Sequence, residues 1–222
     1  MTSTAAICAD DSVDTRQTLL RIALFEFAQH GIEGVSLSKI RQLSGQANRS
    51  VMHYHFKTKE GLFEQVVRMV TTQLEVYFTQ ALEEFQNEQA RIHSVKELSE
   101  LMFDPFVQLF SSGSVGAACI QFLSRLTWQT GQTGQQVLVD LLRPYLLQFE
   151  PRLQALMPGH SDVHLRMKLY LAVNTAIHGL ADFSMMQQDD KLQPLMEQAD
   201  GPMTMRQLFH DYVSAGMQGN PS

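Results

Sequence analysis

The sequence predicts an all-α protein: an N-terminal three-helix head followed by a larger helical body. Two observations carry this. Apolar residues recur at i, i+3, i+4 and i+7 along most of the 222 residues, and sustained alternation of β-branched residues is missing. Gly-, Ser- and Asp-rich clusters then cut the periodic segments at 111–114 (SSGS), 130–134 (TGQTG), 157–162 (MPGHSD) and 198–202 (QADGP).

Residues 1–13 read as a flexible, Ser/Thr/Asp-rich arm. Asp14 and Thr15 are possible caps for a first helix to about residue 30, with Leu20, Ala23, Leu24 and Phe27 on one face and Gly31 as the stop. Ser36 caps a short helix to about Ser44 whose Leu37, Ile40 and Leu43 face inward, and Gly45 supplies the turn. Asn48 is a candidate cap for a second short helix to about Tyr54. Thr58 opens a long helix whose inward face runs from Leu62 and Phe63 to Leu82. Further helices are expected at about 94–111, 115–129, 134–149, 163–187 and 203–217. The domain reading is therefore an arm (1–13), a head (14–60) and a body (61–222).

Composition removes several classes. Seven Pro and 13 Gly are too few for a fibrous or disordered chain. No run approaches the roughly 18 apolar residues of a membrane span. The first residues lack the basic start and apolar stretch of a secretory signal, so a cytoplasmic setting is expected. Cys8 and Cys119, far apart, predict no disulfide, and Cys119 reads as a small buried hydrophobe. There is no Gly-rich phosphate loop, nucleophile elbow or metal-ligand cluster, so neither enzyme nor cofactor nor metal is expected. His53 and His55 stand two apart without Cys or carboxylates beside them, which is poor zinc spacing.

Charge is distributed unevenly. The whole chain carries −6, yet residues 36–59 hold Lys39, Arg41, Arg49, Lys57 and Lys59 and no acid. The first 60 residues have seven basic and six acidic side chains, whereas the remainder has 10 and 17. A cationic island in an anionic chain calls for an anionic partner. Two short helices around a Gly turn form a helix-turn-helix, which lays its second helix in the major groove of double-stranded DNA. On that helix Asn48, Arg49, Ser50 and His53 are the candidate base contacts, because Arg pairs with guanine and Asn with adenine. Val51 and Met52 then point back to Ile40 and Leu43. Ser36, Ser38, Arg41, Tyr54, Lys57, Thr58 and Lys59 flank the reader as candidate phosphate contacts. Lysines at a helix start are unfavourable alone and suit a phosphate partner.

LLRIALFEFAQHG, GVSLSKI, the turn residues SG and YHFKTKEGLFEQVV resemble the tetracycline-repressor (TetR) family of bacterial transcription regulators over about residues 14–67. The aromatic-His-Phe and KTKEGL run is the specific part. The turn SGQANRS is one residue longer than the commonest family pattern, and Arg41 stands where a small alanine is usual. The resemblance implies a repressor that a small effector releases, with the body holding that effector and pairing two copies.

In the body, Met and aromatic residues are abundant, and most read as core. Phe103, Phe106, Gln121, Phe122, Arg125, Trp128, Tyr170, Asn174 and His178 are the candidate lining of an effector cavity for an apolar or amphipathic molecule. The last two helices carry apolar faces. By the resemblance, Leu169, Ala172, Val173, Ala176, Leu180, Leu208, Phe209 and Tyr212 would build a homodimer seam. A two-fold protein wants a roughly palindromic operator. The alternative is an effector-independent DNA-binding protein with an architectural or cell-division role.

Overall fold

Among the described residues the chain forms α1 (Thr4–His30), α2 (Leu37–Leu43), α3 (Val51–Phe56), α4 (Lys59–Glu88), α5 (Val95–Ser111), α6 (Ser114–Trp128), α7 (Gly131–Leu146), α8 (Glu150–Leu156), α9 (Asp162–Ala181) and α10 (Gly201–Gln218). This is a computed structural model, and it describes residues 4–48, 50–128, 131–183, 190 and 201–219, with no strand among them. No helix of the described residues is long and apolar enough to cross a membrane.

The expected helix starts are met where a side chain caps them. Ser36 Oγ accepts from Lys39 N at 3.2 Å, and Thr58 Oγ1 accepts from Gly61 N at 3.0 Å. Ser94 and Glu97 close a reciprocal capping box at the start of α5. Other boundaries differ. α1 is helical from Thr4, so the segment expected as an arm is an extension of the helix; no Gly or Pro precedes Gly31 to interrupt it. Gly131 to Gly134 belong to α7 instead of breaking the chain. A separate α8 follows α7, with Pro151 in its first turn, where a missing N–H costs nothing. The 163–187 helix ends at Ala181, and of the last expected break, 198–200 lie outside the described residues.

α4 has 30 residues, a rod of about 45 Å at 1.5 Å per residue, and it runs from head to body. Leu62, Val66, Val70, Leu74, Phe78, Ala81 and Phe85 form one buried stripe along it. In the body Phe78 stacks on Tyr145 with ring centres 3.8 Å apart, and the Tyr145 hydroxyl donates to Met102 O at 2.9 Å. Phe106 and Phe149 are fully buried against this pair, and Phe103 is fully buried against Phe106. Cys119 is buried as expected, and desolvation pushes its thiol up to about 12.

α10 docks on α5 through a buried polar cluster. Arg206 donates to both Asp104 oxygens, each at 2.7 Å, His210 Nε2 lies 3.1 Å from Oδ1, and Gln108 donates to Oδ2 at 2.6 Å. Burial pushes the Asp104 carboxyl up, but His210, Gln108 and Arg206 together hold it below its ordinary value. Asp104→Asn would turn an amide N–H₂ toward these donors. It is expected to cost about 2–3 kcal/mol by urea unfolding at neutral pH. Because the folded carboxyl is the stronger acid, its contribution is complete above the ordinary carboxylate value of about 4 and is lost as pH falls through the lower folded value. The variant's unfolding midpoint should therefore fall less steeply with acidification than the wild type's.

Candidate nucleic-acid interface and body groove

The head is a tripod built on small, well-buried contacts. Ile40 of α2 and Val51, Met52 and Phe56 of α3 are buried with Leu24 and Phe27 of α1. Leu43 is not part of this core: it is 52% exposed, because α2 ends there and the chain turns away at Ser44. Gly45 makes that turn with φ +70°, a conformation that favours glycine.

The second helix begins later than expected, at Val51 instead of Asn48. The Asn48 side-chain oxygen accepts from Ser50 N at 2.9 Å and holds an Asx turn ahead of the helix. Asn48 therefore stands in the turn and off the helix face. Ser50, His53 and Tyr54 are exposed, Tyr54 at 77%, and His53 Nδ1 lies 3.1 Å from Lys57 O. Arg49 lies outside the described residues.

Among the candidate phosphate contacts, Ser36 and Ser38 sit exposed at the start of α2, and Lys57 and Thr58 are exposed between α3 and α4. Lys59 Nζ lies 3.8 Å from Glu33 in the loop before α2, which brings the two groups side by side. Arg41 is placed differently: its guanidinium donates to Gln46 O at 2.9 Å and braces the turn. The island is also less bare than its sequence. Lys39 pairs with Glu26 of α1 at 2.6 Å, so α1 supplies acids to a stretch that has none of its own. Lys57 has no ion-pair partner among the described residues. Its backbone has φ +63° and ψ −59°, and Thr58 N donates to Phe56 O at 2.7 Å, which makes a γ-turn centred on a lysine. Gly61 lets α4 approach closely here, since a Cβ on it would meet Phe56 O at 2.3 Å.

The body meets the head through α6. Phe122 lies 6.5 Å from the Phe27 ring and 6.0 Å from the Phe63 ring. Arg125 Nε donates to Ala28 O at 3.1 Å and its Nη2 to Gln29 O at 3.3 Å, so its charge sits on the last turn of α1.

A groove of about 510 Å³ opens between α7 and α9. Of the residues proposed from sequence for a cavity, Tyr170 and Asn174 line it. His178 stands beside it, 3.0 Å from Thr127 Oγ1, with its imidazole held below its ordinary value by burial against the opposing charge of Asp182. Phe103, Phe106 and Phe122 are sealed in the core, Gln121 is half-buried on α6, and Arg125 is engaged with α1. The Trp128 side chain lies outside the described residues. Sequence reasoning missed Leu138, Leu142 and Arg143, which line the groove, and assigned Leu169 and Val173 of its lining to the seam. The available signal was the i, i+4 pair Leu138 and Leu142 on a helix whose second apolar flank runs from Val139 to Leu147 just past its end.

The proposed seam residues also divide. Leu169, Ala172, Val173, Ala176 and Leu180 are buried within the chain, since this face of α9 covers its own core. The outward stripe of α9 is Val163, Met167, Tyr170 and Leu171, and that of α10 is Leu208 and Tyr212, with Phe209 half-buried.

Two family descriptions match this chain. Residues 19–66 match bacterial regulatory proteins of the tetR family, and residues 100–216 match the tetracyclin repressor-like C-terminal domain. The chain belongs to the TetR family of transcription regulators. A segment of 56 residues is 36% identical to the HTH-type transcriptional regulator AcrR of Shigella flexneri, covering 25% of this chain. That match spans only 26% of the relative's length. Salmonella enterica GusR shares the fold with TM-score 0.52 at 15% identity, over 90% of this chain and 95% of that one.

Arg125→Ala removes a charged donor from the end of α1 and is expected to cost about 1–2 kcal/mol in urea unfolding. Hydrogen exchange should quicken in α1 to α3 and stay unchanged in α9. Equal acceleration in both would remove Arg125 from its role as a joint.

Proposed function

We propose that this TetR-family regulator acts in the cytoplasm as a homodimeric repressor that a small effector releases from a roughly palindromic operator. The exposed side of α3 and its cap supports the reading: Ser50 and His53 are exposed as candidate base contacts, and of the candidate phosphate contacts Ser36, Ser38, Tyr54, Lys57 and Thr58 are exposed and Lys59 is half-buried. Arg49 joins the base contacts on sequence grounds, and Asn48 does so from the turn. Arg41 braces the turn through Gln46 O, and its phosphate contact rests on sequence grounds alone.

Two copies would present two such faces, matched to half-sites about one helical turn apart or a little more. The exposed apolar stripes of α9 and α10 support pairing across those helices, with the sequence-proposed Leu208 and Tyr212 retained and Val163, Met167 and Leu171 added. An effector in the body would act on α6, which carries Thr127 toward the groove and Arg125 onto α1. A 100-fold loss of DNA affinity requires about 2.7 kcal/mol of coupling. The filled aromatic interior favours the effector-independent reading, whereas the groove beside α6 favours regulation.

Arg49→Ala should weaken specific binding by about 1–3 kcal/mol and relax one base position, while Lys57→Ala should weaken all sequences alike and lower the salt slope by about one unit. Anisotropy titrations with a fragment of the protein's own promoter and with scrambled duplex check both. Equal affinity for the two duplexes would sink the operator reading. Met167→Glu places a charge in the proposed seam, and analytical ultracentrifugation should show the dimer shifting to monomer at micromolar concentration. An unchanged dimer would move the seam elsewhere.

A further inference from the structure

We infer that the groove between α7 and α9 is the effector site, and that its ligand is elongated and apolar with one anionic end. The inference rests on the effector-regulated reading above and adds a place and a chemistry to it.

The volume, about 510 Å³, falls within the range of small-molecule pockets. The walls are aliphatic: Leu138 and Leu142 from α7 face Leu169 and Val173 from α9. The two helices run antiparallel, as their end contacts require. At one end Gln135 of α7 reaches Thr127 O at 3.5 Å, and Thr127 meets His178 of α9 at 3.0 Å. At the other end Arg166 of α9 pairs with Glu150 at 2.8 Å, beside Arg143 of α7.

The polar groups therefore separate along the axis. One end offers neutral hydrogen-bonding groups, Thr127, Gln135 and Asn174. The other offers two guanidinium groups and one carboxylate. Glu150 pairs with Arg166, whose charge Asp162 also opposes, and Arg143 has no ion-pair partner among the described residues, so Arg143 is the cation this end leaves for a ligand. From Gln135 to Arg143 the helix rises about 12 Å, which sets the length over which the ligand must be apolar. An alkyl or flat apolar body with a terminal carboxylate, sulfate or phosphate meets these conditions. A cationic amphiphile of the same length meets Arg143 with repulsion.

The test uses the full chain and three probes of equal chain length: decanoate and decyltrimethylammonium below their micelle concentrations, and decanol below its solubility limit. Calorimetric titration should give decanoate an affinity about five- to tenfold above the ammonium probe, with decanol between them. Arg143→Glu should erase or invert that order. Val139→Trp, at the exposed edge of the groove, should weaken decanoate about tenfold or more while circular dichroism stays unchanged. If Val139→Trp disturbs the fold, the Arg143→Glu order alone decides.

Equal binding of the charged probes, or an order unmoved by Arg143→Glu, overturns the charge assignment. Decanoate affinity untouched in a folded Val139→Trp protein places the site elsewhere. Loss of the dimer on Val139→Trp, seen by ultracentrifugation, assigns the groove to a second copy of the chain and overturns the ligand reading. Promoter binding measured on the same preparation separates the two layers. Decanoate bound in the groove without release of DNA upholds this site and removes the regulatory role proposed above.

Discussion

The head depends on its contact with α6. A head of this size buries too little apolar surface to be more than marginally stable by itself. The structure answers with continuity: the buried residues of α1, α2 and α3 belong to one cluster with those of α4, α5 and α6. Phe122 inserts between Phe27 and Phe63, and Arg125 closes the open carbonyls at the end of α1. Head and body therefore share a wall. Arg125 and Thr127 lie two residues apart on α6, about 200° around the helix axis. One turn of helix thus touches the head on one side and the groove on the other. A ligand that shifts α6 moves the support of α1 directly, and no longer path through the fold is required.

Much of this was legible in the sequence, because caps and periodicity are local. Ser36, Thr58, Ser94 and Glu97 announce helix starts through bonds that span only three residues. The start of α3 was less legible, since Asn48 is as good an Asx-turn residue as it is a helix cap, and only the geometry around Ser50 decides between them. The same locality misjudged the cationic island. Glu26 and Glu33 are outside the 36–59 stretch, yet they pair with Lys39 and Lys59 in space. In the body, aromatic content does not distinguish a wall from a filling. Phe103, Phe106 and Phe122 are fillings, and the groove is lined by leucines and valines that look like any core.

α9 is apolar on both faces, so its sequence leaves open which face its own chain covers. Packing settles it: Leu165, Leu169, Ala176 and Ile177 turn inward, leaving Val163, Met167, Tyr170 and Leu171 outside. α10 is fixed by different means. Its Arg206 and His210 converge on Asp104 of α5, a polar anchor whose geometry tolerates little sliding, where an apolar interface would allow several registers. The outward residues Leu208 and Tyr212 thus stand at set positions relative to α9. A self-complementary surface needs that, because a two-fold contact must satisfy the same residues twice.

The γ-turn at Lys57 is the last piece of the head. A non-glycine residue held at φ +63° costs on the order of 1–3 kcal/mol and persists only where its surroundings demand it. Here they do. Phe56 is anchored in the core, Thr58 is committed to capping α4, and Gly61 lets the Phe56 carbonyl come close to that helix. The turn between them must be completed in one residue, and glycine would complete it at less strain. A lysine there instead places an exposed ammonium at the mouth of the helix-turn-helix, where the other lysines of the stretch are drawn toward α1 and the loop after it. The packing fixes the turn but not the identity of its residue, and a lysine in place of glycine is what the proposed interface with phosphate would select.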